Sequence, residues 1–151
     1  MKSLCIDFGS TFVKYSVFSE GKILFKDKYS FPEACIQDGV LYEVDVEKIK
    51  DLTLEILKKA QDFEVKRCFL AVQMHGYIIK DSNGAFSNYV SWKDQRGDIT
   101  NPLLSGINFW KNGTSLKRNL PAVKLIGEKL EGAEFFTLGS YIAWLLTGRN
   151  V

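Results

Sequence analysis

This 151-residue sequence predicts an α/β fold built on a mixed sheet, and three observations carry the prediction. Three strand-like runs follow one another closely at the start of the chain. An amphipathic helical repeat comes next, over residues 45–61, and a largely apolar run at 65–74 returns directly after it. Consecutive strands joined by tight turns pair antiparallel, whereas a strand reached through a crossover helix most often lies parallel to a neighbour. A meander, a helix and a strand in that order give a sheet with both kinds of pairing.

Residues 3–8 alternate and branch enough for a strand, and 13–18 and 22–31 continue the meander, with Glu20-Gly21 as the second turn. Residues 32–39, opened by Pro32, read as a loop, and 40–44 as a short edge strand. Asp45 is placed to cap the helix of 45–61. There Val46, Ile49, Leu52, Ile56, Leu57 and Ala60 recur at helical spacing, with Glu47, Lys48, Lys58 and Lys59 on the wet side. Residues 77–80 and 86–92 flank Asp81-Ser82-Asn83-Gly84, whose turn chemistry predicts a β-hairpin. After Gln95 the pattern turns helical and loop-like, broken at Asn101-Pro102 and Lys111-Asn112-Gly113. Pro121 opens a helix expected to reach residue 130, and 140–146 forms a last helix stopped by Gly148. No repeat, low-complexity stretch or linker interrupts the chain.

A chain of this length with 46% hydrophobic residues can bury one sizeable core, so one domain is expected. The formal charge of +2, with cations and anions interspersed, argues against nucleic acid or an anionic membrane as partner. No leader pattern stands at the start and no apolar run approaches the ~20 residues that span a bilayer, which gives a cytoplasmic expectation. Cys5, Cys35 and Cys68 are odd in number and form no Cys-x-x-Cys pair, so neither a disulfide framework nor a zinc site is indicated. Cys5 and Cys68 sit in apolar strand-like runs and read as small buried core residues.

Three clusters carry chemistry. In Ile6-Asp7-Phe8-Gly9-Ser10-Thr11 a glycine turn ends an apolar strand. Such a turn can offer amide N–H groups and the Ser10 and Thr11 hydroxyls to phosphate, while Asp7 reaches a divalent cation or its water shell. An ordinary hairpin turn favours the same residues. Gln73-Met74-His75-Gly76 stands at the C-terminal end of a buried strand, where open α/β sheets place ligands. Imidazole and amide can both bond sugar hydroxyls; a core histidine satisfied by a backbone carbonyl is the plainer alternative. In Ser91-Trp92-Lys93-Asp94-Gln95-Arg96 an indole face suits the C–H face of a sugar and a carboxylate suits vicinal hydroxyls. The same residues also read as a surface helix start, with Asp94 as its cap.

Taken together and in order, these segments resemble the amino-terminal part of the FGGY family of carbohydrate kinases, and within it the xylulose kinases. The resemblance runs from Leu4 to Arg149. Ile6 to Lys14 is similar to the family's first phosphate motif, Gln73 to Gly76 to its sugar-contacting Gln-Met-His-Gly, and Trp92 to Arg96 to its Trp-Asn-Asp-Gln-Arg. Pro121 to Leu125 and Leu146-Thr147-Gly148 fall where the family has Pro-x-x-Lys-Leu and a Leu-Thr-Gly helix end. Phe12, Lys93 and Ser140 depart from the pattern, standing where relatives often have a small residue, asparagine and aspartate.

The resemblance implies an actin-like, ribonuclease H-like fold and ATP-dependent phosphorylation of a ketose such as xylulose, with ATP and magnesium as cofactors and a sugar as the small-molecule partner. It places Asp7, Gly9, Ser10, Thr11 and Lys14 at the phosphate, with Asp7 as the metal residue. Gln73, Met74, His75, Gly76, Trp92, Asp94 and Arg96 fall on the sugar. It also implies that the general base and the nucleotide-binding domain lie beyond Val151, so residues 1–151 form the amino-terminal part of the first domain and are inactive alone. A stand-alone sugar-binding or sensing module and an actin-like assembly domain are the alternatives. Self-association is expected if Tyr141, Ile142, Trp144 and Leu145 of the last helix lack a cover.

Overall fold

A computed structural model describes residues 1–126, 128 and 130–150. Strands β1 (Ser3–Phe8), β2 (Phe12–Ser19) and β3 (Lys22–Ser30) form the meander, and β6 (Arg67–Val72) joins it in a four-stranded sheet of order β3-β2-β1-β6. The β1–β2 and β2–β3 pairs are antiparallel and β1–β6 is parallel, so the sheet is mixed as the sequence predicts. Register fixes its faces: Leu4 lies opposite Val17, Ile6 opposite Tyr15 and Phe8 opposite Val13, all buried on one side.

Helix α1 (Val46–Gln61) covers that side with Val46, Ile49, Ile56 and Ala60. The Asp45 side chain accepts from the Glu47 amide and starts the helix, as expected of an acidic cap. Helix α3 (Leu138–Thr147) joins the same core through Leu138, Tyr141 and Ile142. Ser140 completes a capping box with Thr137, which gives this departure from the family pattern a local role. Gly148 stops the helix with φ of 70°. Tyr141 and Ile142 are buried in this core, and Trp144 packs on Phe86 with ring centroids 4.8 Å apart while it and Leu145 stay partly exposed.

Other expectations need correction. Residues 32–39 are not all loop: β4 (Ala34–Asp38) pairs with β5 (Leu41–Val44) around Gly39, whose φ of 55° suits a glycine. Pro32 precedes the first paired residue and so does not hinder the pairing. The predicted 77–92 hairpin closes only at two bridges, Tyr77 with Val90 and Lys80 with Phe86. Its strands find longer partners, β7 (Ile78–Lys80) on β9 (Glu134–Phe136) and β8 (Tyr89–Val90) on β5. Helix α2 runs only over Pro121–Leu125, with Ile126 extended; Gly127 and Lys129 of the expected helix lie outside the described residues.

Cys68 is exposed, because β6 is an edge strand, and Cys5 is half-buried on the face of the sheet away from α1. No helix among the described residues is long and apolar enough to cross a membrane.

Candidate functional site

The parallel β1–β6 pair brings two sequence clusters side by side. Phe8 lies opposite Val72, and the Gln73 amide donates to the Phe8 carbonyl at 3.0 Å, so both strands end at one edge. From β1 the chain turns through Gly9, whose amide donates to the Phe12 carbonyl at 3.1 Å. A Cβ on Gly9 would stand 3.0 Å from that carbonyl, so the turn needs glycine. Asp7 is exposed and lies opposite Lys14 in register; among the described residues no ion pair ties it down. Phe12 is exposed, with the Lys28 ammonium 4.4 Å from its ring centroid.

Met74 and His75 are exposed at the end of β6, and His75 holds a left-handed φ of 63°. Gly76 is buried against Tyr89, and a Cβ there would overlap the phenol oxygen. Beneath this turn the Gln73 side-chain carboxamide and the Tyr89 hydroxyl are buried with no hydrogen-bond partner among the described residues. Backbone bonds in both directions between Tyr77 and Val90 tie the segment to the strand that leads into Trp92. The second and third clusters therefore adjoin.

The third cluster is no helix start. Asp94 is fully buried and caps nothing; it accepts from the Tyr42 amide at 2.8 Å and from the Arg96 amide at 3.1 Å. The Arg96 guanidinium grips the same carboxylate through Nε at 2.9 Å and Nη2 at 2.7 Å, and reaches Glu43 of β5 at 2.5 Å. Burial would raise the Asp94 pKa, but these donors outweigh it and hold the carboxyl below its ordinary value. Trp92 stays partly exposed beside this network.

Lys124 of α2 completes it. Its buried ammonium donates to the Ser91 carbonyl at 2.7 Å and lies 3.9 Å from Asp94. Burial lowers its pKa to about 8, against the pull of Asp94. Glu43, Lys124 and Tyr89 were not predicted as site residues. Two signals were available for Lys124: it is a lone cation between Val123 and Leu125, and it stands at the lysine of the Pro-x-x-Lys-Leu segment that residues 121–125 resemble.

The sheet face away from α1 forms an open cavity of about 640 Å³, lined by Asp7, Lys14, Lys26, Lys28 and Phe69 among others. It borders the phosphate cluster and none of the sugar-cluster residues lines it. Among the described residues no group of three or more His, Cys, Asp or Glu could hold a metal. Asp7 alone still suits magnesium, which takes one or two carboxylates and leaves its other positions to phosphate and water.

The fold is that of the amino-terminal, actin-like and ribonuclease H-like domain of sugar kinases. No family model and no curated protein sequence matches the chain. Solved structures of FGGY-type carbohydrate kinases do. A ligand-bound xylulose kinase from Lactobacillus acidophilus superposes with a TM-score of 0.80 at 22% identity, over 99% of this chain and 34% of its own. A gluconate kinase from the same organism gives 0.79 at 21%, over 99% and 34%. Plasmodium falciparum glycerol kinase with ADP gives 0.73 at 20%, over 97% and 34%. The chain thus spans about a third of each of these kinases, and at such identities the likeness is one of fold.

Proposed function

We propose that this chain is the sugar-binding part of a carbohydrate kinase that phosphorylates a ketose such as xylulose with ATP and magnesium. One observation carries the reading: the first two clusters lie side by side at the C-terminal edge of the β1–β6 pair, where open α/β sheets place ligands, and the Tyr77–Val90 backbone bonds bring the third beside the second. In this reading the amides of the Gly9 turn and the hydroxyls of Ser10 and Thr11 receive phosphate oxygens, with Lys14 adding a cation. Asp7 holds the water shell of magnesium, which when bound neutralises charge on the transferring phosphoryl group. Gln73, Met74, His75 and Gly76 with Trp92 face the sugar, and Asp94 acts through Arg96 to keep that wall in place.

The catalytic base and the adenosine-binding groups then belong to a further part of the enzyme. The whole gene product, assayed with ATP and D-xylulose, is expected to transfer phosphate, and Asp7→Ala to lower kcat by roughly a hundredfold or more. Residues 1–151 alone are expected to be inactive. Sugar-dependent ATP turnover by the isolated chain, abolished by Asp7→Ala, would sink the part-enzyme reading. A sugar affinity near micromolar for the isolated chain, read by calorimetry, would favour a sensing module, since half a pocket should bind sugar weakly.

A further inference from the structure

We infer that Lys124 is a positioning residue for the sugar site, a buried brace that holds the Trp92 wall against the Gln73–Gly76 turn. The inference rests on the sugar-binding reading above. Its ground is where the ammonium sits. Nζ is fully buried, 2.7 Å from the Ser91 carbonyl and 3.9 Å from Asp94, so it grips the backbone on one side of Trp92 and attracts the carboxylate on the other. On its remaining side the ammonium lies 5.9 Å from the ring centroid of Tyr77, the residue that follows Gly76. The same group thus binds the third cluster and lies beside the residue that follows the second, without being exposed to a ligand itself.

Nothing in α2 alone requires a cation here. The helix has a single turn of residues, its neighbours Val123 and Leu120 are apolar and buried, and a methionine would fill the space with no charge to desolvate. A buried lysine between two candidate ligand-binding segments is therefore better explained by what it orients than by what it stabilises.

The charged groups around it define a pH window. Asp94 draws the proton toward Lys124, Arg96 repels it, and Glu43 joins the set through Arg96. Tyr77, raised to about 12 mainly by burial, stays neutral, with Glu128 of the same segment among the groups that raise it. Lys124 titrates near 8 in the fold and near the ordinary lysine value when unfolded. Between those values the unfolded chain binds the extra proton, so this lysine makes global stability rise with pH. The brace weakens over the same interval because the neutral amine no longer attracts Asp94. Stability and sugar affinity should move in opposite directions, which a purely structural lysine would not produce.

The test uses the ¹⁵N-labelled chain. The indole N–H of Trp92, assigned with Trp92→Phe, is followed from neutral pH through about 8 and into the ordinary lysine range, first without sugar and then with D-xylulose. The expected results are a sugar-free indole shift with a midpoint near 8, absent in Lys124→Met, and sugar affinity that falls across the same midpoint. Lys124→Met should also weaken D-xylulose binding at neutral pH by roughly tenfold, the worth of one charge-assisted hydrogen bond. An indole resonance that ignores the titration overturns the brace, and this wild-type measurement stands even if the variant fails to fold. A folded Lys124→Met that leaves the resonance and the affinity unchanged overturns it as well. An indole that follows Lys124 while D-xylulose leaves every resonance in place supports the brace and sinks the sugar reading instead.

Discussion

The Gly9 hairpin and the Trp92–Arg96 segment both carry an aspartate and a cation and are built in opposite ways. Around Gly9 the ties are backbone ones, from the Gly9 amide to Phe12 and from the Gln73 amide to Phe8, and Asp7 stands exposed without an ion pair among the described residues. Around Asp94 the partners are distant: Tyr42 is 52 positions away, and Glu43 lies 53 positions from the Arg96 it binds. One region leaves its acid without an ion pair among the described residues, and the other uses its acid to join distant parts of the fold. A carboxylate in a sequence motif therefore does not reveal by itself whether it is offered to a ligand or used within the fold.

Removing the buried acid should break this contrast most visibly. Asp94→Ala strips partners from the Tyr42 amide, the Arg96 guanidinium and the Lys124 ammonium at once, and should lower stability by about 3 kcal/mol in urea denaturation. A loss below about 1 kcal/mol would mean the network is slack. The sign with pH is fixed as well. Because the Asp94 pKa is lowered by folding, its contribution is in place above the ordinary carboxylate range and is lost as pH falls through the lowered value. Asp94→Asn should therefore flatten the acid limb of the stability profile.

A smaller effect is expected at the turn between the two regions. Gly76→Ala drives a methyl into the Tyr89 hydroxyl and should cost about 2 kcal/mol, with part of the loss recovered in a Tyr89→Ala background. Strict additivity of the two changes would show that the contact is not the cause. The smallest effect belongs to Asp7. Asp7→Ala should leave stability within about 0.5 kcal/mol of wild type, because among the described residues no hydrogen bond or ion pair uses that carboxylate. A markedly less stable variant would make Asp7 a structural residue and remove the contrast.

The parts legible in the sequence are those with short-range causes. The meander, the Asp45 cap, the helix repeat and the Gly148 stop each follow from a few consecutive residues, and β6 follows from the crossover rule. The parts that were not legible depend on pairing at a distance. β7 and β8 were expected to pair fully with each other, since the Asp81–Gly84 turn favours it, yet β9 and β5 offer longer ladders. Cys68 looked like a core residue because its neighbours are apolar, and only the strand order shows that its strand lies at an edge. Within the site, Gly9 and Gly76 stand out in the sequence as places of close approach, and the groups that crowd them in the fold are the chain's own, the Phe12 carbonyl and the Tyr89 phenol. The roles of Lys124 and Glu43 do not stand out, because their meaning lies in the partner, not in the motif.

His75 carries one further consequence. Its left-handed backbone, with φ of 63°, disfavours any residue with a Cβ by about 1 kcal/mol relative to glycine, and asparagine tolerates it better than most. A library screened for thermal resistance alone should therefore enrich glycine or asparagine at position 75 and discard the imidazole. A screen that also demands sugar recognition should keep it, so disagreement between the two selections at this one position would mark where durability and recognition conflict in this chain.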